Sequence, residues 1–201
     1  MASFRSSDPG AGKLSGRFHR SGPVAGSPFS QAQILHLMKT EFARARRYGF
    51  PVACMLIHVD RLEALVDLHG GALREAVRTE LGKLVQDKTR GADHLGLASE
   101  DRYLIVMPHT DGIAGLRVAE RLRKAFRNLE IQIGNNVLAL GLSIGVASCE
   151  DQATLFFDTL LAQAEAALDD SVRRGGNRAC LFGKDRMTGA DELPDDGSGE
   201  G

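Results

Sequence analysis

The sequence lacks a long apolar run, a secretory signal and a cysteine framework. No stretch reaches the ~18 apolar residues that a membrane span needs, and the basic N-terminal residues include no apolar core, so we expect no signal peptide. The three cysteines, Cys54, Cys149 and Cys180, are widely spaced and form no CxxC pair. Dispersed thiols in odd number are typical of a reducing compartment, which predicts buried free cysteines and a cytoplasmic protein.

The chain also has little net charge. Its 25 basic and 26 acidic residues give a formal charge of −1, which predicts no general attraction to DNA or to anionic membranes. Of the 201 residues, 43% are hydrophobic and 25% are charged. These fractions are normal for a globular protein, and the length suits one domain of ordinary size with tails.

The two ends of the chain differ in composition from its middle. Residues 1–28 are net basic, are rich in Ser, Gly and Pro, and have no apolar periodicity, which predicts a disordered arm. This arm is either a solvated tail without a role or a docking peptide that folds back onto the domain. Residues 184–201 are acidic and Gly-rich, which predicts a flexible tail. The folded domain is therefore expected over residues 29–183.

Helical and strand-like patterns alternate through this domain. Apolar residues recur at helical spacing in five segments, which are 34–48, 62–67, 72–86, 113–129 and 153–174. Strand-like runs lie between them, at 52–59, 94–98, 102–107, 131–133, 137–147 and around Phe182. This order predicts an α/β sandwich in which helices flank a central, mostly antiparallel five-stranded sheet.

Several segments of this domain, in the right order, resemble the GGDEF family, the diguanylate cyclases. They are Ala43–Ala53, Ala119–Arg123, the SIGVA run Leu142–Ala147, Ala164–Leu168 and Gly175–Arg178. The resemblance covers about Ser27 to Phe182 and implies the nucleotidyl-cyclase-like fold. Family members join two GTP molecules into cyclic di-GMP, with one GTP in each half of a dimer, so a homodimer is an open possibility here.

The resemblance places altered residues in the reaction centre. The family's Asp-x-Asp aligns with His58-Val59-Asp60, and imidazole is a poor ligand for magnesium. The five residues of the GGDEF turn align with Ser99, Glu100, Asp101, Arg102 and Tyr103. Only the third position, Asp101, keeps its acid, and only the fifth, Tyr103, keeps an aromatic ring. We expect Asp101 alone to be a weak metal site, Tyr103 to pack in the core, and Asp60 to cap the helix that starts near Leu62.

The positions that the resemblance assigns to GTP are altered as well. The guanine-reading positions hold Val66 and Glu75, and the phosphate-gripping positions hold Val172 and Gly176. Valine cannot hydrogen-bond, and a polar site that loses a partner loses selectivity. Metal, base, phosphate and turn positions are all impaired, so we expect no catalysis and no resident metal or cofactor.

The product-inhibition motif RxxD, in contrast, is present. Arg90 and Asp93 precede the turn by the family's spacing, and Arg121 aligns with a further arginine of that site. A guanidinium fork pairs bidentately with guanine O6 and N7, and a carboxylate accepts from guanine N1–H and N2–H₂. The competing interpretation is an Arg–Asp surface ion pair, which stabilises by less than ~1 kcal/mol.

These observations favour a catalytically inactive GGDEF protein. It would act as a cyclic di-GMP receptor through Arg90, Asp93 and Arg121, and would signal to a protein partner that the arm helps to engage. Two alternatives remain at this point. One is a ligand-independent scaffold, in which RxxD is a relic, and the other is a diguanylate cyclase with rearranged catalytic residues.

Overall fold

The computed structural model describes residues 27–150, 156–183 and 187–189. Within these residues there are five helices, α1 (Gln31–Tyr48), α2 (Leu62–His69), α3 (Ala72–Lys88), α4 (Gly112–Arg127) and α5 (Phe157–Arg173). The strands are β1 (Val52–Val59), β2 (His94–Leu97), β3 (Arg102–Pro108), β4 (Ile131–Ile133), β5 (Asn136–Leu138), β6 (Leu142–Cys149), β7 (Ala179–Phe182) and β8 (Met187–Gly189).

The central sheet has the strand order β2-β3-β1-β6-β7-β8. All neighbouring strands pair antiparallel except β6 and β7, which are parallel. The predicted class is confirmed, since five of these strands form the expected mostly antiparallel sheet and β8 extends it at one edge. The hairpin of β4 and β5 forms a separate two-stranded sheet.

Helices cover both faces of the sheet. Alternate side chains of each strand point to opposite faces, so β1 contributes residues to two cores. Ala53, Met55 and Ile57 of β1 pack into one core with α2, α3 and α4. Val52, Cys54 and Leu56 pack into a second core with α1 and α5. All three cysteines of the chain are buried free thiols, as predicted, and burial raises the pKa of Cys54 to about 12.

One predicted strand is wrong in its extent. Residues 137–147 were expected to form a single strand, but β5 ends at Leu138 and β6 begins at Leu142. Residues 139–141 connect the two strands and lie beside the end of β1, where the Gly141 carbonyl accepts from the Asp60 amide at 3.0 Å. A Cβ at Gly141 would lie 2.6 Å from Asp60 Oδ2, so this approach requires glycine.

Parts of three predicted segments lie outside the described residues. They are residues 1–26 of the predicted arm, residues 153–155 at the start of the predicted last helix, and residues 184–186 and 190–201 of the predicted tail. From the tail, only residues 187–189 are described, and they form β8. No helix within the described ranges is long and apolar enough to span a membrane.

The segment before α1 is tied to the edge strand β2. The Phe29 amide donates to the Leu95 carbonyl and the Leu97 amide donates to the Phe29 carbonyl, both at 2.9 Å. This bridge is parallel to β2, and the Phe29 ring makes an edge contact with His94 at 6.0 Å between ring centres. Phe29 is therefore held beside the start of β2, against His94, which follows Asp93 in the chain.

Candidate functional site

The turn between β2 and β3 faces α3, and one arginine of that helix holds both of its carboxylates. Arg74 donates Nε–H to Asp101 Oδ1 at 3.0 Å and Nη1–H to Glu100 Oε1 at 3.1 Å. The side chains of Arg74 and Asp101 are only 23% and 16% exposed, so water screens this pair less than an open surface pair. A guanidinium thus binds one oxygen of each carboxylate in the turn.

The next two residues of the turn motif have structural partners. Arg102 pairs with Glu165 of α5 at 2.7 Å, which joins β3 to the helix across the sheet edge. Tyr103 is fully buried in the core, as predicted. Burial raises the pKa of Tyr103, and the charge of the neighbouring Arg78 acts against that rise.

Asp60 does not cap α2, which corrects the prediction. The N-cap position of that helix is Arg61, whose φ of 60° is left-handed and which makes no side-chain cap bond. The Asp60 carboxylate instead accepts from the Ser143 hydroxyl at 2.6 Å and from the Asn177 amide at 2.8 Å. It therefore joins the end of β1 to the start of β6 and to the loop after α5.

His58, Val66 and Glu75 have different surroundings in the structure. His58 is half-buried in β1, between Arg102 on β3 and Ser143 on β6. Val66 packs against the apolar core, and Glu75 pairs with Arg78 along α3 at 3.0 Å.

The other two predicted GTP positions lie at the end of α5 and in the loop that follows it. Val172 is an exposed apolar side chain at the end of α5. At Gly176, where φ is 74°, a Cβ would lie 3.1 Å from Asp60 Oδ1. The nearby Arg173 and Arg174 both pair with Asp170 within the helix. These contacts hold the Arg173 and Arg174 guanidinium groups at a carboxylate of α5.

Arg90, Asp93 and Arg121 come together where α3 leads into β2. The contact between Arg90 and Asp93 is made by the backbone, since Asp93 Oδ2 accepts from the Arg90 amide at 2.8 Å and the Asp93 amide donates to the Arg90 carbonyl at 2.9 Å. The exposed Arg90 guanidinium makes no salt bridge with any residue in the described part of the chain. The expected alternative, a simple Arg–Asp ion pair, is therefore not the geometry found.

Arg121 reaches the same place from α4. Its Nε and Nη2 donate to the Lys88 carbonyl at 3.1 and 2.6 Å, which satisfies an acceptor left open at the end of α3. Its charge also acts on Asp93, together with the charges of Arg90 and His94. Two arginines and a histidine thus lie around one carboxylate at the surface of the domain.

The family model described as diguanylate cyclase, GGDEF domain, matches residues 29–178. The chain belongs to the GGDEF family. It is 29% identical over 147 residues to the diguanylate cyclase DosC of Escherichia coli strain K12, an alignment that covers 73% of this chain and 32% of DosC. The chain therefore spans about a third of the length of that relative.

Solved structures of GGDEF proteins share the fold. The diguanylate cyclase SiaD of Pseudomonas aeruginosa, in complex with its activator SiaC, superimposes with a TM-score of 0.72 and 24% identity, over 80% of this chain and 60% of SiaD. The GGDEF domain of DgcB from Caulobacter crescentus, in complex with c-di-GMP, superimposes with a TM-score of 0.70 and 15% identity, over 79% and 94% of the two chains.

The residues of this GGDEF domain do not fit the magnesium ions that the family's reaction implies. Magnesium requires oxygen ligands in near-octahedral geometry. Here Glu100 and Asp101 bind Arg74, and Asp60 accepts from two protein donors. Within the described residues, no group of three or more His, Cys, Asp or Glu side chains is placed to hold a metal ion.

Sequence reasoning missed Arg74, which organises the turn of the GGDEF domain. It lies 26 and 27 residues before the acids that it binds, and no local motif marks it. The attachment of Phe29 was also missed, although one signal was visible. Ser30 and Gln33 have the spacing of a capping box, and Gln33 Oε1 accepts from the Ser30 amide and hydroxyl at 3.0 and 2.9 Å.

For the predicted cyclic di-GMP site, acidification is expected to weaken binding. Burial raises the pKa of the Asp93 carboxyl above its ordinary value, although the Arg90 amide and the charges of Arg90, His94 and Arg121 oppose the rise. A protonated carboxyl loses its capacity to accept from both guanine N–H groups. The dissociation constant should therefore rise as the pH falls through the Asp93 pKa, starting above the ~3.9 of an ordinary aspartate.

Calorimetric titrations over roughly pH 3.5 to 6.5, a range that includes the ordinary carboxyl pKa values and higher ones, would check this expectation. A His94→Gln background removes the neighbouring imidazole from the titration. The Asp93→Asn variant should bind more weakly and lose the dependence on pH. An affinity that does not change over this range would contradict a role for the Asp93 carboxylate in binding.

Proposed function

We propose that this GGDEF domain is a catalytically silent receptor that binds cyclic di-GMP through Arg90, Asp93 and Arg121 and signals to a protein partner. The observation that carries the proposal is a contrast between the two ends of β2. The turn that follows β2 has its carboxylates bound by Arg74. The cluster that precedes β2 presents an arginine fork without a salt bridge among the described residues.

Loss of catalysis is supported by charge as well as by ligand geometry. A triphosphate is strongly anionic, and Ser99 and Glu100 place side chains where the family's turn presents bare backbone. Glu100 is largely exposed and adds a negative charge at that position. Arg74 binds one oxygen of each turn carboxylate and offsets one of their two negative charges, which weakens the attraction of this turn for a metal ion. The domain is proposed to need no resident metal or cofactor.

Ligand binding is supported by the pre-organisation of the RxxD cluster. Asp93 is fixed by two backbone hydrogen bonds to Arg90, and its Oδ2 atom receives one of them. Arg121 is anchored on the Lys88 carbonyl, which sets its position beside the carboxylate. Because Asp93 and Arg121 are anchored before ligand arrives, the main side chain that binding must order is the exposed Arg90 guanidinium.

The segment that leads to the arm offers a route for the signal. Phe29 is held on β2 and contacts His94, the residue next to Asp93 in the chain. Ligand at the cluster would therefore lie beside the point where residues 1–28 join the domain. We propose that ligand changes the contacts of the arm and that the partner detects this change. Hydrogen exchange over residues 1–28, with and without cyclic di-GMP, measures this coupling.

The proposal predicts that GTP is not converted to cyclic di-GMP in the presence of magnesium or manganese. Val66, Val172 and Gly176 offer no polar side chain to the base or the phosphates, Glu75 is paired with Arg78, and Arg74 binds the turn carboxylates. Chromatographic detection of product over long incubations is the measurement. The Arg74→Ala variant frees the two carboxylates and should still form no product, because the other positions stay impaired.

Cyclic di-GMP titration by calorimetry on the same samples tests the receptor half of the proposal. Micromolar or tighter binding, about −8 kcal/mol or more favourable, is expected for the wild type. Product above a no-enzyme blank that disappears in Asp101→Ala would establish a rearranged cyclase instead. Absence of both turnover and binding would leave the scaffold alternative.

A further inference from the structure

The face of the sheet opposite α3 and α4 carries a groove between α1 and α5. It has a volume of about 610 Å³ and lies between the C-terminal half of α1 and the first residues of α5, the two helices that pack on the second core. Its apolar lining comes from Phe42, Ala43, Phe156 and Phe157. Phe156 is 66% exposed, which is unusual for so large an apolar side chain. Exposed apolar side chains that line a concave surface are typical of binding sites.

The rim of this groove is cationic. Lys39, Arg46 and Arg47 contribute to it from α1, and Asp158 is the one acid among the lining residues described. Asp158 lies in the first turn of α5, where the positive end of the helix dipole favours an acid. The lining residues therefore have an excess of positive charge. A positive rim around an apolar floor is complementary to a segment that carries acids on both sides of an apolar anchor.

The cations and the apolar residues of α1 follow the helical repeat. Lys39 and Arg46 are seven residues apart and so lie on one face of the helix, about 10.5 Å from each other along its axis. Phe42 and Ala43 lie between them, three and four residues after Lys39. A second helix packed alongside α1 has the same repeat. The pattern that complements this face is an acid, apolar residues at i+3 and i+4, and a second acid at i+7.

The chain itself supplies no equally suitable occupant. A second copy packed symmetrically on the same face would place one cationic rim against the other, and like charges oppose association. Residues 1–28 are net basic and meet the same repulsion. The acidic residues 190–201 follow β8, which is antiparallel to β7 and therefore runs toward the start of β6, whereas α5 follows the end of β6. An acidic segment of another protein fits the groove better than any of these.

We propose that the groove between α1 and α5 binds an acidic amphipathic helix of a partner protein. The two acids would face Lys39 and Arg46, and the apolar residues between them would pack against Phe42 and Phe156. This assignment gives the kind of partner that the proposed function requires, and it rests on that function only for the existence of a partner. Because no residue of the groove belongs to the RxxD cluster, the two sites can be tested separately.

The absence of tryptophan from the chain provides a direct test. A Phe156→Trp substitution in the full chain places a single fluorophore in the groove. The probe is an alanine- and glutamine-based peptide of about 18 residues, long enough to form a helix, with glutamates at i and i+7 and leucines at i+3 and i+4. Titration with this peptide should shift the emission to the blue, reach saturation and protect the fluorophore from acrylamide. Cyclic di-GMP is left out, so the result does not depend on the RxxD site.

Matched peptides and variants separate the proposed contact from general charge effects. A peptide with glutamine in place of both glutamates should bind at least about tenfold more weakly, and Lys39→Glu should weaken the acidic peptide similarly. Lys83→Glu, at an exposed lysine of α3, should leave binding unchanged. Of the two peptides in which one glutamate is replaced by lysine, one should regain affinity for Lys39→Glu. The amide NMR signal of Ala43 in the natural sequence should move during the same titration, which gives a readout without tryptophan.

Three results would overturn the proposal, provided that thermal unfolding shows each variant to be folded. The first is an emission that is blue-shifted and protected before any peptide is added, because the same chain or a second copy would then cover the groove. The second is equal binding of the glutamate and glutamine peptides, or binding that Lys39→Glu leaves unchanged. The third is no binding of the acidic peptide, and a shift by phosphatidylglycerol vesicles in its place would assign the surface to an anionic membrane. Each of these results would leave cyclic di-GMP binding, measured by calorimetry, unaffected.

Discussion

Replacing Arg90 with alanine is expected to weaken cyclic di-GMP binding at least tenfold, or by about 1.4 kcal/mol. The exposed guanidinium makes no salt bridge among the described residues, so its fork is available to guanine O6 and N7, a contact that is worth about 1–3 kcal/mol. The Arg90→Lys variant should lose most of the same affinity, because an ammonium group cannot form the bidentate pair. Calorimetry on the full chain measures both.

The control for this substitution is Arg127→Ala. Arg127 is an exposed arginine of α4 in the last turn of the helix, and its loss changes the net charge equally. Binding should be unchanged in this variant, and thermal unfolding of both variants should match that of the wild type. If Arg90→Ala binds as tightly as Arg127→Ala, the ligand site is assigned to the wrong residues.

Replacing Asp60 with alanine is expected to lower the free energy of unfolding by about 3 kcal/mol. The substitution leaves the buried Ser143 hydroxyl and the Asn177 amide without their acceptor, and hydrogen bonds to charged groups contribute about 1.5–3 kcal/mol each. It also releases the loop after α5 from the end of β1. Urea unfolding of the wild type and the variant gives the difference.

Asp67→Ala is the matched control, because Asp67 is an exposed aspartate of the neighbouring helix α2. Its effect should stay within about 0.5 kcal/mol, as is usual for surface positions. Asp60→Asn keeps one acceptor and should fall between the two. A loss below about 1 kcal/mol in Asp60→Ala would show that the two hydrogen bonds contribute less than charged hydrogen bonds normally do.

Regular periodicity carried most of the fold prediction. The apolar spacing of α1, α3 and α4 and the unbroken apolar run of β1 report burial directly, and burial on two faces of β1 implies helices on both sides of the sheet. Motif order then identified the family, which the match over residues 29–178 confirms. Such features depend on residues that are close together in sequence, so they can be recognised from one sequence alone.

Contacts between distant segments account for what the sequence did not show. The break between β5 and β6 follows from the approach of Gly141 to Asp60, across about 80 residues of chain. The same approach explains why Asp60 is not a helix cap, since its carboxylate is already engaged by Ser143 and Asn177. The binding of both turn carboxylates by Arg74 is likewise a tertiary arrangement without a local signature.

The binding of both turn carboxylates by Arg74 has a consequence for how the protein would operate in a cell. An internal guanidinium binds one oxygen of each turn carboxylate, where a dissolved cation could otherwise bind. The chain itself therefore supplies a cation to this turn. The receptor proposed above would then respond to its signalling molecule without needing the divalent cations that accompany nucleotide triphosphates in the cell.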